Sequence, residues 1–226
     1  MPTLAHKIRL DPTPDPIRYF KPASGTARFV WNWALAEWNR PYAAGQRPNA
    51  RALKKQLNAV KYEQFPWLRD MHRDAHAQPF ADLANTWQRD WKALQQERER
   101  VAAGARPSPL RWDRPTFQKK GRTRDSFYIA NDKFHVVGRR VNLPKIGWVA
   151  LRAPLRFPGQ ILGARITRQA DQWFLSIQVA VPDPVYYRHR QGDDSEGIDV
   201  GVKTCVTSSQ GDKIAGPNVH AALCAA

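Results

Sequence analysis

Two stretches of the chain carry residues whose types and spacing could do chemistry. Near the end, Glu196-Gly-Ile-Asp-Val-Gly-Val-Lys-Thr-Cys-Val-Thr sets Asp199 in an apolar, strand-like run with a glycine on either side. A carboxylate in such a run is costly to bury unless something positive meets it, and a divalent metal is the economical partner. The bland alternative is that Asp199 begins a turn between two short strands. The other stretch is Arg114-Pro-Thr-Phe-Gln-Lys-Lys-Gly-Arg-Thr-Arg-Asp-Ser-Phe-Tyr, in which Lys119, Lys120, Arg122 and Arg124 surround Gly121 and are flanked by Phe117, Phe127 and Tyr128. Cations in this pattern can follow a phosphate backbone while rings stack on unpaired bases. A solvated basic loop, ahead of a strand whose aromatics are core, is the competing reading.

Other reactive residues give less. His72 and His76 sit four apart, which would suit a metal on a helix, but no third ligand is near in sequence and solvated surface histidines are expected. Cys205 and Cys224 lie nineteen positions apart with no CxxC, which excludes a disulfide framework and a four-cysteine zinc site within this chain. Neither Ser195 nor Cys205 has a local partner that would make it a nucleophile.

The charge balance agrees with the basic stretch. Lys and Arg total 36 against 20 Asp and Glu in 226 residues, a formal charge of +16, so nucleic acid is the first partner to test. From Arg114 to Lys145 nine basic residues face two acidic ones, a net of +7, and this adds Lys133, Arg139 and Arg140 to the candidate nucleic-acid-binding residues. From Gln191 onward two basic residues face five acidic ones, a net of −3, which marks a new module near residue 192. Hydrophobic residues make up 42%, with nine Trp and nine Phe, enough for a real core and against wholesale disorder. No run approaches the roughly 18 apolar residues of a membrane span, and MPTLAHKIRL is too poor in apolar residues for a signal peptide. A soluble, cytoplasmic protein without a membrane partner is expected.

Periodicity supplies the elements that must position these groups. Ala5 to Leu10 alternates and predicts a first strand ending at Asp11-Pro12. Thr13-Pro14 offers a helix N-cap with proline at the first helical position, and apolar residues from Ile17 to Trp38 recur at helical spacing until Arg40-Pro41, with a kink or delay at Pro22. A second helix is predicted from about Asn49 to Tyr62. A third carries Phe80, Leu83, Ala84, Trp87, Trp91 and Leu94 as one stripe, with Trp87 and Trp91 read as core rather than as base platforms. Beyond Ala102–Pro109 the period changes to two. Strands are predicted at 126–131, 133–137, 140–143, 148–152, 161–168 and 173–181, the last two forming a hairpin, and their spacing suggests a compact antiparallel barrel. A final pair, 197–202 and 204–208, leads into the turn Gln210-Gly211-Asp212.

Four segments in this order carry a resemblance. They are KIRLDPTPDP with GTARFVWNWALAEWN, then RPTFQKKGRTRDSF, then ILGARITRQADQWFLSIQV, and last EGIDVGVKTCVTSSQGDKIAGPN. Together, over residues 5 to 218, they resemble the TnpB family, the OrfB-type probable transposases of bacterial insertion sequences that are related to type V CRISPR effectors. The resemblance implies an α+β chain. Residues 1–13 would be the first strand of a wedge-like antiparallel β-barrel, 14–110 an inserted helical recognition lobe, 111–191 the rest of the barrel, and 192–226 the first strands of a RuvC domain of ribonuclease-H-like fold. It also implies a guide RNA from a transposon end, a DNA target and Mg²⁺-dependent cleavage. Asp199 matches the first RuvC aspartate, a metal ligand that acts with carboxylates from later strands in attack on a phosphodiester.

The chain departs from this family after Asn218. The family continues with two further acidic residues and a zinc ribbon of paired CxxC motifs, and it has a basic helix where this sequence reads Val-His-Ala-Ala-Leu-Cys-Ala-Ala. A truncated or frameshifted copy with an incomplete RuvC site, weak or absent Mg²⁺ binding and no zinc site is therefore expected. Two functional readings follow. One is the nucleic-acid-binding portion of a transposon-encoded RNA-guided DNA endonuclease, cleavage-incompetent as it stands, and the other is a nuclease-dead RNA-guided DNA-binding repressor. A helix-turn-helix regulator has weaker support, because the second helix lacks the usual short turn to a recognition helix.

Overall fold

A computed structural model describes residues 1–46, 48–108, 114–183, 197–201 and 204–215. The chain divides into two units, Met1–Pro182 and Asp183–Ala226.

In the first unit, strand β1 (Thr3–Asp11) leads into three helices, α1 (Pro14–Ala43), α2 (Ala50–Gln64) and α3 (Arg73–Ala102), with a 3-10 turn at Pro66–Arg69 before α3. Six strands follow: β2 (Ser126–Ala130), β3 (His135–Val137), β4 (Arg140–Leu143), β5 (Gly147–Leu151), β6 (Gln160–Gln169) and β7 (Gln172–Ala180). The chain is therefore mixed α+β, with the helices inserted between the first strand and the rest. All the pairings are antiparallel, in the order β2-β6-β7-β1-β5-β4-β3. β1 lies in the middle, pairing with β7 along most of its length and with β5 at Leu10 and Asp11. Where a compact barrel was expected, the described residues give an open order in which end strands β2 and β3 do not pair with each other.

The helical core follows the sequence stripe. Val30, Ala34, Leu35 and Trp38 of α1 meet Leu53 and Leu57 of α2 and Phe80, Leu83 and Trp87 of α3. Trp38 and Trp87 stack at 5.9 Å with their planes 11° apart, and Trp91 packs at the margin, so both tryptophans of the α3 stripe are packing residues. Neither Trp38 Nε1 nor Trp87 Nε1 has a hydrogen-bond partner, an offset of about 1–3 kcal/mol against what burying each ring contributes.

Three local expectations are corrected. Thr13 stands at the N-cap with Pro14 behind it, but its side chain makes no capping hydrogen bond. α1 starts at Pro14, so Pro22 does not delay it, and it continues past Pro41 to Ala43. Pro22 lies on the exposed side of the helix, where water can satisfy the carbonyl its missing N–H leaves unpaired. The predicted surface histidines are buried, His72 at 6% and His76 at 3% exposure.

Those histidines lie where the helices join the sheet. His72 N donates to Tyr19 Oη (2.8 Å), and His72 Nε2 lies 2.9 Å from the Tyr128 carbonyl, which can only accept, so Nε2 carries the proton and Nδ1 accepts from Tyr19 Oη (3.1 Å). Asp74 Oδ2 accepts from Ala130 N at 2.9 Å, and Arg165 of β6 pairs with Asp82 of α3 at 2.9 Å. Phe20 of α1 fills the space between Phe127 and Trp173. At Gly163, opposite β2, an added Cβ would run into the Tyr128 hydroxyl, so only glycine lets that ring lie across the strand.

In the second unit, β8 (Ile198–Asp199), β9 (Thr204–Ser208) and β10 (Lys213–Ala215) form an antiparallel sheet in the order β10-β9-β8. The predicted 197–202 strand is thus a two-residue pairing, Ile198 with Ser208 and Asp199 with Thr207.

Candidate nucleic-acid interface

The basic arm is held against α1. The Asn32 side-chain amide treats Gln118 as a neighbouring strand would, donating to its carbonyl at 3.0 Å and accepting from its N–H at 2.8 Å. Trp31 Nε1 donates to the Thr116 carbonyl (3.0 Å), and Arg28 forms a 2.9 Å ion pair with Asp125 that is largely shielded from water. Between these anchors the chain turns on itself. Arg122 N and Thr123 N both donate to the Lys119 carbonyl, Lys119 N donates to Thr123 Oγ1, and Gly121 takes φ +81°, a conformation that favours glycine. The turn leaves Lys119, Lys120, Arg122 and Arg124 exposed, and no ion pair among the described residues engages them. Four exposed cations thus sit on a backbone held by hydrogen bonds.

Beside the arm, α1 and α3 enclose an open groove of about 630 Å³ lined by Trp31, Arg89, Asp90, Arg114, Phe117 and Thr123 among others. Phe117 is 51% exposed there. Phe127 is the reverse case. Expected at the nucleic-acid face, it has no exposed surface and packs against Phe20 and His72, so it has no ring face to offer a base. The core explanation for that aromatic is the correct one.

The other predicted cations lie elsewhere on the first unit. Lys133 pairs with Asp132 at 2.6 Å, which holds the Asp132 carboxyl below its usual range, and it lines a cavity of about 290 Å³ with Arg69, Arg73 and Lys145. Arg139 donates to the Arg152 carbonyl, while the Arg140 guanidinium lies over the Trp148 ring, 5.3 Å from its centroid. Arg69 and Arg73, which the sequence reading does not single out, reach the Lys133 cavity from the 3-10 turn and the first residue of α3. The only signal for them was their closeness to the helix start. Burial pushes His76 down to about 4, helped by Lys61 and Lys54 of α2 and by His72, against the opposing pull of Asp74. His72 is lowered by burial as well.

Asp199 is exposed on β8, and no cluster of three or more His, Cys, Asp or Glu that could hold a metal is found among the described residues. The donors a Mg²⁺ ion would need are therefore not gathered around it there. No helix among the described residues is long and apolar enough to cross a membrane.

The chain is strongly basic and mixed α+β, with an arm of exposed cations held by α1. A family described as "Helix-turn-helix domain" (HTH_OrfB_IS605) matches residues 1–47, the segment holding β1 and α1. The chain is 26% identical over 192 residues to "Putative RNA-guided DNA endonuclease InsQ" of Escherichia coli (strain K12), covering 83% of this chain and 42% of that protein. It is 23% identical over 227 residues to "Putative RNA-guided DNA endonuclease Rv2885c" of Mycobacterium tuberculosis (strain ATCC 25618 / H37Rv), covering 90% of this chain and 47% of that one. These similarities agree with the resemblance to the TnpB/OrfB family carried by the motifs, and the chain spans less than half the length of these curated relatives.

Proposed function

We propose that this chain is the guide-RNA- and target-DNA-holding portion of a transposon-encoded RNA-guided DNA endonuclease of the TnpB/OrfB type. The observation that carries the reading is the arm from Arg114 to Asp125, whose four exposed cations are fixed by Asn32, Trp31 and Arg28. The OrfB-type match and the names of the relatives support DNA binding and transposition as the setting. In this reading β1 to β7 form the wedge module and α1 to α3 the recognition lobe, while β8 to β10 are the first strands of a RuvC domain. Binding without cutting is favoured for the 226-residue polypeptide, because Asp199 belongs to no cluster of three or more potential metal ligands among the described residues. The same observation keeps a nuclease-dead, target-occluding role as the second reading.

Purification from cells carrying the native locus, followed by sequencing of bound RNA, tests the proposal. Enrichment of RNA from one end of the mobile element is expected, with release that steepens with salt because each neutralised phosphate adds to the slope. Protein that emerges free of nucleic acid and binds none on titration would refute it.

A further inference from the structure

The corner of the sheet formed by β3, β4 and β5 has two unlike faces. Val141, Leu143, Val149 and Leu151 turn inward and are buried. The register places His135 opposite Asn142 and Asn142 opposite Trp148, with Val137, Arg140 and Ala150 forming the next row on the same face. This outer face holds two large apolar side chains in water, Trp148 at 46% and Val137 at 62% exposure. It is organised around the indole. His135 meets Trp148 edge-on at 5.0 Å and 89°, and Arg140 lies over the ring. The six residues include no carboxylate. Asp11 continues the Ala150 row on β1 and is paired with Arg152 at 3.0 Å.

A half-exposed indole braced by a second ring, with a guanidinium over it, a side-chain amide in the adjacent position and no negative charge, suits a flat, electron-rich group joined to an anion. An unpaired nucleotide is such a group, since its base can stack on indole while its phosphate meets Arg140. Trp is a poor choice for a merely solvated strand position, because its large apolar area is normally buried. We propose that this face is a stacking platform for a single-stranded nucleotide, with Trp148 as the ring and Arg140 as the phosphate contact. The proposal rests on the nucleic-acid-binding function above and joins Trp148, which the sequence reading did not single out, to Arg140, a cation that it did.

The test uses the full chain and three labelled probes, a single-stranded oligouridine, a single-stranded oligothymidine and a blunt RNA duplex. Trp148→Ala should weaken binding of the single strands by about tenfold, Trp148→Phe should restore most of it, and duplex binding should change less than about twofold. The oligouridine and oligothymidine arms decide whether the nucleotide comes from RNA or from DNA. Iodouridine photocrosslinking of the wild type should label the β5 peptide, and a thermal melt checks that each variant is folded. Should Trp148→Ala prove unfolded, Trp148→Phe together with Arg140→Gln and the crosslink carry the test. Unchanged single-strand binding in a folded Trp148→Ala protein overturns the platform alone, as does an equal loss for duplex and single strand. A change in sedimentation with binding intact would instead mark the face as a self-association surface and also overturn it. Wild-type protein that binds none of the probes refutes the nucleic-acid-binding reading itself.

Discussion

Helix α1 serves two regions in opposite ways. Val30, Ala34, Leu35 and Trp38 are used up in packing against α2 and α3, while Arg28, Trp31 and Asn32 hold the basic arm by polar contacts and leave its cations in water. The helical core should therefore control stability with little direct effect on ligand. The arm should control ligand affinity with little effect on stability, and substitutions in the two regions test whether they are separable.

The arm gives the largest expected effect. Replacing Lys119, Lys120, Arg122 and Arg124 together with Glu should weaken RNA binding at low salt by about a thousandfold or more and flatten its salt dependence by roughly three to four units of slope. Melting should stay near wild type, because the four side chains are exposed and their turn is held by backbone and Thr123 contacts. A filter-binding titration across salt concentrations reads both quantities. Unchanged affinity would make the arm a solvated loop.

The core gives the next. Trp87→Ala should destabilise the protein by about 3–5 kcal/mol, the range for emptying a large aromatic site, since Trp87 is buried against Trp38, Tyr42 and Trp91. Denaturant unfolding measures it. If stability is unchanged while RNA affinity falls, Trp87 faces ligand and the contrast between the two regions fails.

Between core and sheet, His76 makes the comparison depend on pH. Its folded value of about 4 lies below the ordinary 6.5, so between those limits the unfolded chain takes up a proton that the folded chain refuses. Stability should be constant from this source above pH 6.5 and fall as pH drops below it, by about 2 kcal/mol at pH 5. His72, also lowered by burial, acts in the same direction. His76→Gln should remove much of this slope. Urea unfolding at several pH values decides it, and an undiminished slope in the variant would assign the effect to other groups.

Elements built on local periodicity were legible in the sequence. The α3 stripe, the alternation of β1 and the β6–β7 hairpin all emerged because side-chain spacing of 3.6 or 2 is written in consecutive residues. What depended on distant partners was not. His72 and His76 read as surface residues because the groups that cover them come partly from β2, and His72 and Tyr128 are 56 positions apart. The Asn32–Gln118 clamp spans 86 positions. Phe127 carried the same local signal as Phe117, and the arrival of Phe20 from α1 and of His72 ahead of α3 distinguishes the buried ring from the exposed one. For Trp148 a signal existed in the alternation His135/Val137, Arg140/Asn142 and Trp148/Ala150 against buried Val141 and Val149, yet it becomes a face only once three strands are aligned. Helix α1 outlasted Arg40-Pro41 because a proline in a final turn breaks one hydrogen bond without ending the helix.

Asp199 should give the smallest effect. It lies on a two-residue strand, exposed, in register with Thr207, and in no cluster of three or more potential metal ligands among the described residues. A lone exposed carboxylate binds Mg²⁺ weakly, since hard divalent ions need several oxygen ligands to displace their water. Asp199→Ala should therefore leave RNA affinity within about twofold and stability within about 0.5 kcal/mol of wild type, the usual range for a surface substitution. The sharper part of the test is functional. RNA-loaded protein incubated with Mg²⁺ and matched DNA should release no specific product, with or without the substitution, because in-line attack on a phosphodiester needs metal held by several carboxylates at once. Specific cutting that vanishes in Asp199→Ala would mean that the remaining ligands come from another chain or from residues of this one beyond those described, and Asp199 would then join the arm as a determinant of function.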